Sequence, residues 1–171
     1  MSSVTSRNFI FCIQNKFCDR LPPASPIMDI KLFVAAKACI LNKDNQLLLV
    51  RESNSYLDAS NVGKWDIPGG RLDVSETLKE GLLREVREEV GLSVTSYDLF
   101  DVHDTFVEKN NERWHIVRLF YKVSCDNTAV KLSTDHDAYA WIDLDKVIKH
   151  PGFIQNMIPT VEKLIKQIEN N

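Results

Sequence analysis

Four charged residues stand close together near the end of a helical pattern: Arg84, Glu85, Glu88 and Glu89 in the run Arg84-Glu85-Val86-Arg87-Glu88-Glu89. A helix left to itself does not favour this order. Its C-terminal end carries partial negative charge and prefers Lys or Arg, by roughly 0.3–1 kcal/mol each. Glu85 and Glu89 are four apart, where like charges repel by roughly 0.2–0.5 kcal/mol. At about 100° per residue, Glu85 and Glu89 lie about 40° apart around the axis, with Glu88 about 60° to the other side of Glu85. Three carboxylates thus share one arc beside the apolar stripe. Two readings are open: a solvated charged face, or oxygen ligands gathered for a cation.

The helix that must carry them is well marked. Thr77 and Glu80 form a T-x-x-E capping box at its start, in which the hydroxyl accepts a free backbone N–H and the glutamate reaches back. Gly91 supplies the left-handed residue that commonly ends a helix. Leu78, Leu82, Leu83, Val86 and Val90 recur at helical spacing and predict one buried stripe. Gly81 falls in the carboxylate arc one turn earlier, where a missing side chain is expected to leave room for an approaching group.

Wider spacing separates the two readings. Gly70, Glu76 and the run from Arg84 to Leu92 are separated by five and then seven residues. Average residue usage would yield all these matches on the order of once in 10⁷–10⁸ chains of this size. This stretch resembles the box of the Nudix hydrolase family at every defining position, and Trp65-Asp66-Ile67-Pro68-Gly69-Gly70-Arg71 resembles the family's approach to it. The departures are Asp73, Ser75 and Gly81, where glutamate, glycine and alanine are common; none is a charged position of the box. A weaker likeness in element order runs from about Lys31 to the C-terminus.

The resemblance implies that Glu85 and Glu89 are the main carboxylate ligands of Mg²⁺ or Mn²⁺, with Glu88 a further ligand and the Gly69 carbonyl a non-carboxylate one. It implies that Arg84 orients Glu85, and that Glu76 is its structural partner or a secondary base. Mg²⁺ takes oxygen ligands, keeps several waters, and is usually held by few carboxylates plus substrate phosphates. The expected reaction is attack of water on one phosphorus of a pyrophosphate linkage, in a nucleoside diphosphate joined to a further group. A MutT-like nucleoside triphosphate pyrophosphatase is the first expectation, with a nucleotide-sugar or dihydroneopterin triphosphate hydrolase as alternatives. Relatives acting on ADP-ribose often have a proline about sixteen residues past the box; Glu108 stands there in this chain. A non-catalytic Nudix-fold regulator usually loses a box glutamate or adds a DNA-binding domain, and an isopentenyl diphosphate isomerase-like enzyme has no intact box. Which glutamate is the base stays open, as does a homodimer.

Other residues have weaker claims. Arg51 and Arg71 are candidates for phosphate contact, against an ordinary surface role. Asp135 or Asp137 stands where many relatives have an acidic loop residue. His103, His115 and His150 are isolated and read as structural or solvated. Trp65 and Trp114 read as core aromatics before base-stacking ones, whereas Tyr56 in an open loop is a freer stacking candidate.

Composition sets the outer bounds. With 171 residues, 44% of them hydrophobic, the chain buries a core without disulfides or a structural metal. A net charge of −3 offers no global basic field for long nucleic acid or anionic membrane. No stretch approaches the roughly 18 apolar residues of a membrane span. Cys12, Cys18, Cys39 and Cys125 lack metal-ligand spacing and read as reduced cysteines of a cytoplasmic protein.

Residues 1–28 read as an N-terminal extension with poor periodicity, and 29–171 as the Nudix domain. Strands are predicted at Leu32–Leu41, Gln46–Arg51 and Trp65–Pro68. Further on, a hairpin of 93–108 and 114–125 is expected, then a short strand at Tyr139–Ile142. The apolar spacing of Ile154, Ile158, Val161, Leu164, Ile165 and Ile168 predicts a terminal helix, with Pro159 kinking or restarting it. The expected fold class is α/β, an α/β/α sandwich with a mixed β-sheet between helices.

Overall fold

In the computed structural model, residues 30–55, 61–109 and 112–170 are described. The N-terminal extension and Tyr56 lie outside them. Strand β1 (Ile30–Ile40) leads through a turn into β2 (Gln46–Glu52), and a loop brings the chain to the two-residue β3 (Trp65–Asp66). Helix α1 (Leu78–Val90) is followed by the long pair β4 (Val94–Lys109) and β5 (Glu112–Cys125), then β6 (His136–Asp143). The short α2 (Leu144–Val147) and the terminal α3 (Ile158–Glu169) close the order.

The expected sheet forms as two three-stranded ladders, β1-β5-β4 and β3-β2-β6. The first is mixed, β1 running parallel to β5 and β4 antiparallel to it; the second is antiparallel throughout. Strand alternation explains the layers. Ala36, Ala38, Ile40, Leu48 and Val50 pack towards Leu82, Val86 and Val90 of α1. Their neighbours Cys39, Leu47 and Leu49 point the other way, onto Val147 of α2 and Val161 and Leu164 of α3. Strands β1 and β2 are therefore buried on both faces over 35–40 and 47–50, which accounts for their apolar runs, broken there only by Lys37.

Local signals on α1 hold. The Thr77 side chain accepts from the Glu80 N–H, Glu80 returns the bond, and Gly91 ends the helix at φ 68°. Two expectations fail there. Leu78 is exposed instead of completing the stripe. The space beside Gly81 is already filled: a Cβ built there would lie 2.1 Å from Leu72 Cδ2 and 2.9 Å from Glu76 Oε1. The missing side chain admits the chain's own loop, not an incoming group.

Pro159 stands in the first turn of α3, with a 3₁₀ turn at Gln155–Met157 before it. There its absent N–H costs nothing, so the helix begins near the proline and Ile154 falls outside it. Helix α2 has four residues, too few for any periodic signal in the sequence.

Candidate active site

Four segments meet around one cavity of about 850 Å³: β1, the turn after β3, the first and last thirds of the 70–90 stretch, and the loop entering β6. The turn is zipped onto β1. The Ala38 N–H donates to the Pro68 carbonyl at 2.8 Å, and the Ala36 N–H to the Gly70 carbonyl at 3.0 Å. Between them the Lys37 ammonium closes on the Gly69 carbonyl. Only glycine tolerates this contact at position 69. Its φ is 114°, and a Cβ would lie 2.2 Å from the Ala36 carbonyl oxygen.

Arg84 organises the carboxylates. It donates from Nε and Nη2 to the two oxygens of Glu76, at 2.9 and 2.7 Å. Its Nη1 reaches Glu85 at 3.0 Å and Glu88 at 3.1 Å, and Nη2 also reaches the Arg71 carbonyl. Arg84, with the Asp73 N–H, holds the Glu76 carboxyl down at about 2. Glu85 and Glu89 behave oppositely. Burial, and then the Glu89 charge, push Glu85 above the usual carboxylate range. Burial pushes Glu89 up to about 7, against the opposing pull of Lys37 and of the Gly69 N–H, which donates to it at 2.7 Å.

Two further groups face Glu89. His136 Nε2 is 3.8 Å from Glu89 Oε1, and burial, aided by the Lys37 charge, lowers its pKa and keeps the ring neutral. Its Nδ1 is buried without a hydrogen-bond partner among the described residues. Lys37 donates to Asp66 Oδ2 at 2.9 Å and to the Ile67 carbonyl at 3.0 Å as well as to Gly69.

The structure thus gathers Gly69, Arg71, Glu76, Arg84, Glu85, Glu88 and Glu89 at one cavity. Arg51 is turned away: it pairs with Asp137 at 2.6 Å and lies over the Trp65 ring. Arg71 is at the rim, its guanidinium 5.2 Å from the centres of both Phe33 and Trp114. Of the two loop aspartates, Asp135 lines the cavity.

Lys37, Asp66 and His136 were assigned no role in the site from the sequence. The signal for Lys37 was present, as the lone charge within the apolar run Phe33 to Leu41, since buried lysine is rare unless paired.

Among the described residues, no group of three His, Cys, Asp or Glu side chains converges as a ready metal cage. The reason is visible: Arg84 draws Glu85 and Glu88, while Glu89 accepts from Gly69. The donors nevertheless suit a hard divalent ion. They are all oxygens, and a Cβ on Gly70 would lie 2.7–2.9 Å from the Glu85 carboxylate, so the glycine keeps a cradle open for it. Both carboxylates are raised by burial, Glu85 also by the Glu89 charge and Glu89 by Asp66 and Asp135, which marks negative charge crowded at the site.

The NUDIX domain family model matches residues 31–164. A MutT-like protein of Streptomyces ambofaciens is 31% identical over 114 residues, 67% of this chain and 66% of that one. An 8-oxo-dGTP diphosphatase of Proteus vulgaris is 36% identical over 80 residues, 46% of this chain and 69% of its own length. The crystal structure of a MutT protein from Methanosarcina mazei Go1 superposes with a TM-score of 0.66 at 27% identity, covering 82% of this chain and 97% of that one. This chain belongs to the NUDIX domain family and has its fold.

Proposed function

We propose that this protein is a Mg²⁺- or Mn²⁺-dependent Nudix hydrolase that cleaves a pyrophosphate bond in a small nucleotide. The chain is a hydrolase of phosphoanhydrides; the finer reading is a nucleoside triphosphate, and likeness to MutT-like proteins and to an 8-oxo-dGTP diphosphatase supports it. The observation that carries the proposal is the pair of raised carboxylates, Glu85 and Glu89, beside Arg84 at the mouth of a cavity wide enough for a nucleotide.

Glu85 and Glu89 would hold the ion, with Glu88 and the Gly69 carbonyl as further oxygens. When bound, the ion neutralises charge on the phosphates and acidifies a bound water. Arg84 orients Glu85 and Glu88 by bridging both from Nη1. Glu76 is its anchor: a carboxyl held near 2 is a poor proton acceptor at neutral pH. Glu88, the most exposed of the three box carboxylates at 60%, is placed to take a proton from water entering the cavity. Arg71 faces the same space and meets the substrate's outer portion.

The test is hydrolysis of nucleoside triphosphates, nucleotide sugars, dihydroneopterin triphosphate and dinucleoside polyphosphates with Mg²⁺, scored for released phosphate and pyrophosphate. Turnover of triphosphates to monophosphate and pyrophosphate, abolished by a chelator, is the expected result. Hydrolysis that persists in the chelator defeats the proposal.

A further inference from the structure

One charged side chain lining the cavity has no part in the chemistry described above. Lys37 sits in the middle of β1, 8% exposed, and its ammonium meets three oxygens: Asp66 Oδ2, the Ile67 carbonyl and the Gly69 carbonyl. An ammonium has three N–H groups, and each of these has a partner. Glu89 is close enough that it and Lys37 shift each other's titration. One carboxylate, two backbone carbonyls and a second carboxylate nearby make an oxygen set of the kind that hard divalent ions take. In this chain a tethered cation is at its centre.

We infer that Lys37 is a resident cation standing where a divalent ion would otherwise bind, so that the site accepts one ion fewer before substrate arrives. The inference rests on the metal-dependent reading above. Its physical content is separate. An ammonium on a covalent stem never dissociates, and its charge offsets Glu89 and Asp66 at any metal concentration. It has no open coordination position for water or phosphate, so Lys37 is a positioning residue. By taking the Gly69 carbonyl it also fixes the peptide whose neighbouring N–H holds Glu89. An ion held by Glu85 and Glu89 that reaches Gly69 must share that carbonyl with it.

The experiment is a Mn²⁺ titration of the metal-free protein without nucleotide, counting bound ions per chain from the electron paramagnetic resonance signal of free Mn²⁺. Lys37→Met and Lys37→Gln both remove the charge, and the glutamine oxygen is itself able to coordinate. Each variant is expected to bind one more ion per chain than the wild type. The gained ion is expected to vanish in Lys37→Met/Asp66→Asn, which removes a donor of the vacated position. Equal numbers in the wild type and the folded single variants overturn the inference. A gain that survives Asp66→Asn also overturns it, because the new ion then lies elsewhere. Should Lys37→Met fail to fold by circular dichroism, Lys37→Gln carries the comparison. Failure of the metal-dependent reading shows differently, as a wild-type count that Glu89→Gln leaves unchanged.

Discussion

Asp101 and Glu89 are both carboxylates, both largely buried, with side chains 13% and 17% exposed, yet their protons are bound very differently. Asp101, on β4, is held below the usual range although burial works against its charge, because Lys163 and Thr160 donate to it. Glu89, on α1, is pushed up to about 7. Around Asp101 the network closes. Lys163 Nζ reaches one oxygen at 2.7 Å and the Thr160 hydroxyl the other at 2.8 Å. That hydroxyl has one proton, given to Asp101, so His103 Nε2 donates to the Thr160 oxygen in turn, while its ring stacks on Phe120. Around Glu89 the network stays open, with one backbone donor, an ammonium that is nearby but bonded to other oxygens, and a neutral imidazole whose second nitrogen has no partner among the described residues. Similar side-chain exposure therefore does not make two carboxylates alike; Glu89 combines heavier desolvation with fewer donors, Asp101 lighter desolvation with a full set. The β4–α3 network pairs its charges within the protein, whereas the α1 cluster lines the cavity that the proposed function assigns to metal and substrate.

The largest expected effect comes from the open network. Glu89→Gln keeps the size and the bond from Gly69, and is expected to lower turnover at least about a hundredfold with an unchanged circular dichroism spectrum; wild-type kcat in the variant removes Glu89 from the metal site. The same residue sets a pH dependence. Its folded pKa of about 7 lies above the ordinary glutamate value of 4.5, so between these values the native state binds more protons than the unfolded one. Stability from this proton is fully present below pH 4.5 and lost as pH rises through 7, on the order of 3 kcal/mol. Urea denaturation of the metal-free protein at pH 5 and pH 8 reads this, and Glu89→Gln is expected to flatten it. Mg²⁺ is expected to recover stability at pH 8, because it binds the ionised form.

The closed network should show the converse. Thr160→Val keeps the shape and deletes the hydroxyl that Asp101 and His103 share. A loss of about 1–3 kcal/mol in denaturant unfolding is expected with kcat unaltered; a large fall in kcat at constant stability would join the two regions that the comparison separates. The smallest effect belongs to the start of α1. Thr77→Ala removes the cap from Glu80 N and is expected to cost about 1 kcal/mol, measured by the thermal midpoint, with little change in turnover because the catalytic end lies three turns away.

What the sequence made legible was local. The capping box, Gly91 and the box glutamates depend on neighbours within a few positions, and the structure brings those glutamates to one cavity with Arg84 and Glu76. Illegible parts depend on distant pairing. Lys37 meets Asp66, Ile67 and Gly69 from 29 to 32 residues away, a contact that exists only once β1 and the turn are aligned. Gly81 looked open because nothing in its own helix fills the space; Leu72 does, from the preceding loop. Arg51 and Arg71 were indistinguishable as arginines near the box, and the fold alone sends one to Asp137 and the other to the cavity rim.

Three consecutive carbonyls of the 68–70 turn are bonded in order to Ala38, Lys37 and Ala36, with strict consequences for how this molecule tolerates change. A strand alternates faces residue by residue, and the Leu72 N–H continues the pairing onto the Val34 carbonyl, so a single deletion within 34–38 reverses which side chains look inward. The ammonium would then meet the α1 layer, and an alanine would arrive where the turn expects a charge. Evolution and protein engineering alike should find length changes permitted upstream of the clasp, forbidden inside it, and permitted again in the Asn42–Asn45 turn.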